Sequence, residues 1–357
     1  MSKVFFANSG SEANDTVVKM VWYMNNSLGR PKKKKIVGRL KGYHGITVAA
    51  GSLTGLPVNH RSFDLPILGI VHTSCPHFYR FGKDGETEEQ FATRCAQELE
   101  ELIVKEGGAD EVAAMIAQPV MGAGGVIVPP KGYYEKIQAV CTKYDMLFIA
   151  DEVICGFGRT GNVWGSQTMN IKPDILTCAK ALSASFLPIS AVMINEKVYQ
   201  ALMSESDRIG TWGHGFTYSG HPVAAAAALE AQKIYDETDL FGHAKRLTPV
   251  FQKHIQSFAD HPLVGEAMSA GMMGALEIVA DKKTKAPFEL GAIGVAGTKV
   301  YTHAVARGLF VRNMGDRVAI CPPLIINEAE LGDLFGRLHQ SFDAALAELK
   351  SEGHFKG

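Results

Sequence analysis

The sequence carries no excess charge of either sign and no long hydrophobic run. Its 36 Lys and Arg residues nearly balance 37 Asp and Glu residues, for a formal net charge of −1. Electrostatics therefore favours neither nucleic acid nor an anionic membrane as a partner. No apolar run approaches the roughly 20 residues of a membrane-spanning helix, and "PVAAAAALEA" (residues 222–231) is predicted to be an alanine-rich packed helix. The N-terminal residues lack signal-peptide architecture, so we expect a cytoplasmic protein.

Disulfide, metal and common nucleotide patterns are missing too. The six cysteines are scattered and none forms a CxxC pair, which favours free thiols in a reducing compartment. No His, Asp and Glu cluster has the spacing of metal ligands, so no metal site is expected. The absence of GxSxG argues against a serine hydrolase, and the absence of a strand–GxGxxG–helix unit argues against a dehydrogenase.

Short apolar runs alternate with helical patterns as far as about residue 238. Strand-like runs such as "KIVGRL", "VAAMIAQPV" and "MLFIADEV" are separated by segments with apolar residues at helical spacing. This alternation predicts an α/β fold with a mainly parallel sheet and flanking helices. Later strand-like and helical segments predict a smaller α+β domain. We therefore predict a large domain over residues 1–238 and a small C-terminal domain over residues 239–357.

Two short stretches give local predictions. "NMGD" (residues 313–316) lies between two apolar runs and predicts a hairpin turn. "PKKKK" (residues 31–35) is the one basic run in the sequence. We interpret it as a solvated connector between a helix and a strand.

The stretch "FFANSGSEAND" (residues 5–15) predicts a strand, a Ser9-Gly10-Ser11 turn and a helix. Free backbone N–H groups and the positive end of a helix dipole make such a turn an anion site. The same residues also suit plain N-capping of the helix by a serine. On this motif alone, phosphate binding and capping are equally supported.

Asp151 and Lys180 each stand where an apolar strand-like run ends. A right-handed crossover between parallel strands would bring both side chains to the same sheet edge, where ligands bind. A structural ion pair is the alternative. A phosphate turn, an aspartate and a lysine together suit pyridoxal 5'-phosphate (PLP), which needs an anion site, a carboxylate for its pyridine nitrogen and an amine.

Taken together, the motifs resemble those of the class III, or omega-type, aminotransferases, which are PLP enzymes of fold type I, the aspartate-aminotransferase fold. The resemblance covers essentially the whole chain and is strongest to the amine:pyruvate and β-alanine:pyruvate branch. The matching motifs, in order, are "FFANSGSEAND", "GYHG", "PVMGAGGVIVPPKGYYEKI", "ADEVICGFGRTG", "PDILTCAKALSASFLPIS", "HGFTYSGHPVA" and "GLFVRNMGDRVAICPPLII".

The resemblance implies a transaminase that moves an amino group from an amine or amino acid to a keto acid such as pyruvate, in two half reactions. It assigns catalytic roles to Lys180, which would bind the cofactor as a Schiff base and shuttle a proton, and to Asp151, which would pair with the pyridine nitrogen. Val153 would pack on one face of the ring. Tyr43 would stack on the other face, with His44 beside it.

The remaining roles concern anions and a second subunit. Gly10 and Ser11 would hold the cofactor phosphate. Thr217 would reach the phosphate of the neighbouring subunit's cofactor, which implies a homodimer with a shared active site. Arg312 would bind the substrate carboxylate, a task that suits a planar bidentate donor, and would swing aside for an uncharged amine.

Two departures from the family pattern bear on the site. Gln118 stands before a proline where glutamate is more usual, which changes the charge balance near the pocket. Family members also carry a further segment upstream of the first motif, and it contributes to the substrate pocket. Two alternatives therefore stay open: another PLP enzyme of the same fold, such as an aminomutase, racemase or decarboxylase, or a truncated and catalytically impaired PLP-binding homologue.

Overall fold

The computed structural model describes residues 1–289, 291 and 294–355, and the chain forms two compact units. The first unit comprises Met1–Gly122, Pro129–Phe157 and Trp164–Thr238. The second comprises Ala123–Val128, Gly158–Val163 and the chain from Asp239 onward. Residues 290, 292, 293, 356 and 357 of the predicted small domain lie outside the described residues. The functional division at residues 238 and 239 remains a prediction.

A seven-stranded sheet forms the centre of the first unit. Its strands are β1 (Lys3–Ala7), β2 (Lys35–Arg39), β3 (Ile70–Thr73), β4 (Val112–Ala117), β5 (Leu147–Asp151), β6 (Ile175–Cys178) and β7 (Ser190–Ile194). They lie in the order β1-β7-β6-β5-β4-β2-β3. Neighbours from β6 to β3 are parallel, and β7 is antiparallel to β6 and β1. The predicted α/β fold with a mainly parallel sheet is confirmed.

Helices flank this sheet and supply its apolar cover. They are α1 (Gly10–Ser27), α2 (Val48–Leu53), α3 (Phe78–Phe81), α4 (Glu88–Lys105), α5 (Tyr133–Lys143), α6 (Gly165–Thr168), α7 (Glu196–Ile209) and α8 (Pro222–Glu237). One apolar cluster contains α1 and α7, another contains α4 and α5, and both take side chains from β2 and β4. Every residue of β4 and β5 is buried, as expected of strands inside a covered parallel sheet.

The second unit carries a four-stranded antiparallel sheet. Its strands are β8 (Val264–Ala270), β9 (Met273–Ile278), β10 (Arg312–Asn313) and β11 (Arg317–Ile320), in the order β10-β11-β9-β8. Helices α9 (Leu240–Gln256), α10 (Val295–Ala306) and α11 (Glu328–Ser351) share an apolar core with it. The predicted hairpin is confirmed, because β10 and β11 pair on either side of "NMGD". Strand β8 was not predicted, since most of its side chains are only half-buried.

The prediction of a solvated connector at "PKKKK" is only partly right: the segment joins α1 to β2 and exposes Pro31 and Lys32, but its later lysines are not solvated. Lys33 is buried, and its ammonium group donates to the carbonyl oxygens of Ala109 (2.6 Å) and Tyr144 (3.0 Å). Lys35 belongs to β2 and forms ion pairs with Glu106 and Glu111. A charge run does not reveal that carbonyl oxygens and carboxylates lie within reach of each ammonium group.

None of the helices that the structure describes is both long enough and apolar enough to cross a membrane. Helix α8, predicted as a packed helix, buries Ala224, Ala228 and Ala231 but exposes Leu229 and Ile234. It therefore packs along one face and presents apolar side chains on another.

We expect three half-buried histidines to make the second unit sensitive to acid. His254 stacks on Phe335 and His339 stacks on Phe258. Burial lowers the pKa of His254, His339 and His261 in the folded chain. As the pH falls, the unfolded chain therefore binds protons before the folded chain does. The stability that these neutral histidines contribute is complete above about pH 6.5 and is lost as the pH falls below that value.

We expect the amide protection of α9 and α11 to decrease between about pH 7.5 and about pH 5.5, after correction for intrinsic exchange. Hydrogen-exchange mass spectrometry measures this. The double variant His254→Gln/His339→Gln should lose part of the pH dependence, whereas His221→Gln, at an exposed histidine of the first unit, should keep it. An unchanged pH dependence in the double variant would contradict the explanation.

Candidate active site

A cavity of about 370 Å³ lies in the first unit, and most of the predicted site residues line it. It lies where the carboxyl ends of the central strands face the start of α1. The predicted residues along its wall are Gly10, Ser11, Tyr43, His44, Asp151, Val153 and Lys180. Residues that were widely separated in the sequence thus meet around one space large enough for a small molecule.

Asp151 and Lys180 meet because β5 and β6 are parallel neighbours. Asp151 is the last residue of β5 and lies opposite Thr177 of β6. Lys180 follows just beyond the end of β6 and starts a short 3-10 helix. Both side chains therefore reach the edge of the sheet where ligands bind in open α/β folds.

Lys180 has an unusual backbone conformation. Its φ angle is +43°, in the left-handed region that side chains with a Cβ rarely adopt. Its carbonyl oxygen accepts the N–H groups of Ser185 (3.1 Å) and Ser183 (3.3 Å), which holds this tight turn. Such strain persists only where the surrounding structure enforces it, and it concentrates at functional sites.

The Asp151 carboxylate is buried and accepts three hydrogen bonds. One oxygen accepts from Nδ1 of His44 (2.7 Å) and from the side-chain amide of Asn14 (3.1 Å). The other accepts from the backbone N–H of Val153 (3.0 Å). These donors fix the orientation of the carboxylate at the cavity wall.

Asn14 is a site residue that sequence reasoning missed. It is fully buried, donates to Asp151 and to the carbonyl oxygen of His44 (2.7 Å), and accepts from the hydroxyl of Thr177 (3.0 Å). It therefore connects α1, β5, β6 and the "GYHG" turn. The available signal was an amide on the apolar face of α1, where a polar side chain requires buried partners.

The start of α1 supports both interpretations of the Ser9-Gly10-Ser11 turn. Ser9 is the N-cap, and its hydroxyl accepts the N–H of Glu12 (3.2 Å). The N–H groups of Gly10 and Ser11 belong to the first helical turn, and within the described residues neither has a hydrogen-bond partner. Capping therefore leaves two donors at the cavity for an anion.

Close packing requires glycine at position 45 and leaves little room for a Cβ atom at Gly10. A Cβ atom at Gly45 would lie 2.5 Å from the hydroxyl oxygen of Ser11, and its φ angle is +139°. At Gly10 a Cβ atom would lie 3.2 Å from both methyl groups of Val153. The two glycines let the "GYHG" turn and Val153 approach the start of α1.

Thr217 and Arg312 are not among the residues that line this cavity. Thr217 is exposed in the turn before α8. The segment ahead of it is anchored by His214, whose ring stacks on Phe5 and hydrogen-bonds to Thr16 (2.9 Å). Arg312 belongs to β10 of the second unit and is exposed.

Glu152, next to Asp151, has a structural role. It is fully buried, and its carboxylate accepts the N–H groups of Gly165 (2.9 Å) and Ser166 (2.6 Å) and the Ser166 hydroxyl (2.5 Å). Burial raises the pKa of Glu152, and these hydrogen bonds oppose that rise. It anchors α6 rather than lining the cavity.

The sequence profile of the family described as "Aminotransferase class-III" matches residues 1–342. The chain belongs to this family. The aminotransferase is 50% identical over 357 residues to gamma-aminobutyrate transaminase 1, mitochondrial, of Oryza sativa subsp. indica, covering 99% of this chain and 68% of the relative. It is 48% identical over 355 residues to vanillin aminotransferase of Capsicum chinense, covering 99% and 77%.

Solved transaminase structures share the fold of this chain. The omega transaminase from Pseudomonas jessenii in complex with PMP matches with a TM-score of 0.96 and 55% identity, over 98% of this chain and 77% of that one. A structure titled "Transaminase with L-ala" matches with a TM-score of 0.96 and 56% identity, over 98% and 82%. The predicted family and the fold-type I architecture are confirmed.

Class III aminotransferases depend on PLP, so this enzyme is a PLP-dependent transaminase. The cavity fits that cofactor by its own chemistry. It offers two amide donors at a helix N-terminus for a phosphate, a buried carboxylate for a protonated ring nitrogen, and a lysine for the reactive aldehyde.

Replacing Asn14 with alanine tests its role in the site. The change removes two donors, so Asp151 loses one of its three hydrogen bonds and the buried carbonyl oxygen of His44 loses its donor; we therefore expect a loss of about 1–3 kcal/mol in the free energy of unfolding. We also expect weaker PLP binding, because the carboxylate loses a fixed orientation. Urea unfolding and equilibrium dialysis with PLP measure the two effects.

Asn25→Ala is the matched control. Asn25 is also a buried asparagine of α1, but among the described residues its side-chain amide bonds only to the carbonyl oxygen of Val21 (2.9 Å). It should lose stability without a specific loss of PLP affinity. Equal effects of the two variants on PLP binding would show that Asn14 is not a site residue.

Proposed function

We propose that this transaminase takes amino groups from amines or amino acids and transfers them to pyruvate or a similar keto acid in two half reactions. The observation that carries this proposal is the convergence of Lys180, Asp151 and the start of α1 on one cavity. Solved relatives titled as an omega transaminase with PMP and a transaminase with L-Ala support the choice of substrates.

When bound, PLP supplies the aldehyde that takes up the amino group and the ring that stabilises negative charge on the substrate carbon. We propose that Lys180 forms the covalent link to the cofactor and moves the proton at the substrate carbon. Asp151 would keep the ring nitrogen protonated, in an orientation fixed by His44. Val153 and Tyr43 would hold the two faces of the ring.

Two anion sites complete the proposal. Gly10 and Ser11 would hold the phosphate with the free N–H groups of the first turn of α1. Arg312 would bind the carboxylate of the amino acid or keto acid. This role is supported by the exposed guanidinium of Arg312, which forms no ion pair with any of the described residues and can therefore reorient.

We further propose a homodimer in which Thr217 reaches the partner's cofactor. Support comes from large apolar side chains on the surface of the first unit, since apolar surface can mark a protein–protein interaction site. Examples are Ile46, Val48, Phe186, Val223 and Leu229. The exposed position of Thr217, away from the cavity of its own chain, is compatible with a role across an interface.

The domain roles and the location belong to the proposal as well. Residues 1–238 would bind the cofactor, and residues 239–357 would form the small domain. A cytoplasmic location is supported by six cysteines that are free thiols in the structure. Cell fractionation tests it.

Lys180→Ala tests the central role. With PLP, the native enzyme should show a visible absorption band that disappears on addition of alanine, and the variant should show no such band because it lacks the amine. Absorption spectroscopy measures both. Lys172→Ala, at an exposed lysine outside the cavity, is the control and should behave as the native enzyme.

The other outcomes separate the alternatives. A band that requires Lys180 but that no amino donor removes would indicate an incomplete pocket or another PLP reaction. A native enzyme that forms no band would indicate an impaired homologue. Either result would overturn the proposed substrates.

A mixing experiment tests the shared site. Thr217→Ala should weaken PLP binding by about tenfold, the loss of one hydrogen bond to a charged group. In a heterodimer of Lys180→Ala and Thr217→Ala chains, one site regains both residues if Thr217 acts across the interface. Half of the sites should then bind PLP with native affinity and show the visible band. If Thr217 acts within its own chain, no native site forms.

A further inference from the structure

Gln118 is a buried cavity residue with an unused donor. It directly follows β4, lines the cavity and is 4% exposed. Its side-chain oxygen accepts the backbone N–H of Tyr43 at 3.1 Å. Because that N–H group can only donate, the amide oxygen faces Tyr43, and the orientation of the amide is fixed. The NH₂ group forms no hydrogen bond with any of the described residues.

A buried positive charge contacts the backbone of Gln118. Arg39, at the end of β2, is fully buried and donates to the carbonyl oxygen of Gln118 (2.6 Å) and to the hydroxyl of Tyr134 (3.0 Å). Its guanidinium lies 5.9 Å and 5.7 Å from the ring centres of Tyr133 and Tyr134. No carboxylate among the described residues forms an ion pair with it.

The charge of Arg39 is therefore held by neutral groups alone. A buried charge without an opposite partner projects its field further than a paired one, because the interior screens it weakly. The Gln118 side of the cavity thus combines a positive field with an NH₂ donor. A glutamate at this position would place a negative charge there instead.

We propose that Gln118 and Arg39 form a wall that binds an oxygen with negative charge inside the cavity, through the NH₂ group of Gln118. This inference rests on the proposed function, and it adds a residue that determines which ligands fit. The oxygen could come from the ring hydroxyl of PLP or from the carboxylate of a substrate. Either oxygen would accept a hydrogen bond from the NH₂ group.

The variant Gln118→Glu separates this role from simple positioning of Tyr43. A carboxylate accepts the N–H of Tyr43 as well as an amide oxygen does, but it has no donor and repels a negative oxygen. If Gln118 only positions Tyr43, the variant binds ligands as the native enzyme does. If the NH₂ group binds a negative oxygen, affinity should fall about tenfold or more.

Two affinities identify the source of the oxygen. Equilibrium dialysis of PLP with the cofactor-free enzyme reports on the ring hydroxyl. Titration of the PLP-bound enzyme with propionate, an unreactive carboxylate, reports on a substrate carboxylate through the change in the visible spectrum. A tenfold loss in either titration supports the proposal and names the source, and native values in both overturn it. Propionate could also bind at Arg312, the proposed carboxylate-binding residue. The variant Arg312→Gln removes that guanidinium and shows how much of the spectral change comes from propionate bound there.

A second measurement covers the case in which Gln118→Glu does not fold. In the native enzyme labelled with ¹⁵N-glutamine, the side-chain amide signal of Gln118, assigned by its absence in Gln118→Met, should shift on addition of PLP or propionate. No shift with either ligand overturns the proposal. Dialysis measures PLP binding without any reaction, so a failure of this inference is distinguishable from a failure of transamination.

Discussion

The Asp151 carboxylate is the group around which the first unit is organised. It ends a strand in which every residue is buried, so it is removed from water at the edge where the strand stops. A buried carboxylate is tolerated only with donors, and Asn14, His44 and the N–H of Val153 provide them. These donors belong to α1, to the turn after β2 and to the loop after β5. Satisfying one charge therefore positions three segments of the cavity wall.

Lys180 depends on the same edge but is held in a different way. The turn that follows β6 places Lys180, Ala184 and Ser185 in left-handed backbone conformations, and the Lys180 carbonyl closes it with two hydrogen bonds. Three such residues in one turn store strain that the packing of β6 between β5 and β7 must offset. The turn thereby fixes the backbone of Lys180 beside the cavity. A lysine on a relaxed loop would carry the same charge without the same position.

Sequence patterns predicted the parts of this site that follow from topology. Strand-end residues such as Asp151 and Lys180 can be placed together because parallel strands end at the same edge. Asn14 and Gln118 could not be recognised in the same way, because their roles depend on side-chain partners distant in sequence. Lys33 shows the same limit, since a basic run predicts exposure until carbonyl groups from other segments surround it. Strand β8 was missed because its half-buried side chains do not alternate.

The Asp151 carboxylate lines the cavity and the Arg39 guanidinium contacts the backbone of Gln118, and these two buried charges are not paired with each other. Among the described residues, neither Lys nor Arg pairs with Asp151, and no carboxylate pairs with Arg39. Pairing them directly would cancel both fields and leave little for a ligand. Kept apart, the carboxylate would favour a protonated ring nitrogen and the guanidinium would favour a negative oxygen, as proposed above. A neutral Gln118 adds no negative charge to the cavity wall, whereas a carboxylate in its place would add one. If the proposed role of Gln118 holds, the residue at this position decides which charge the cavity accepts.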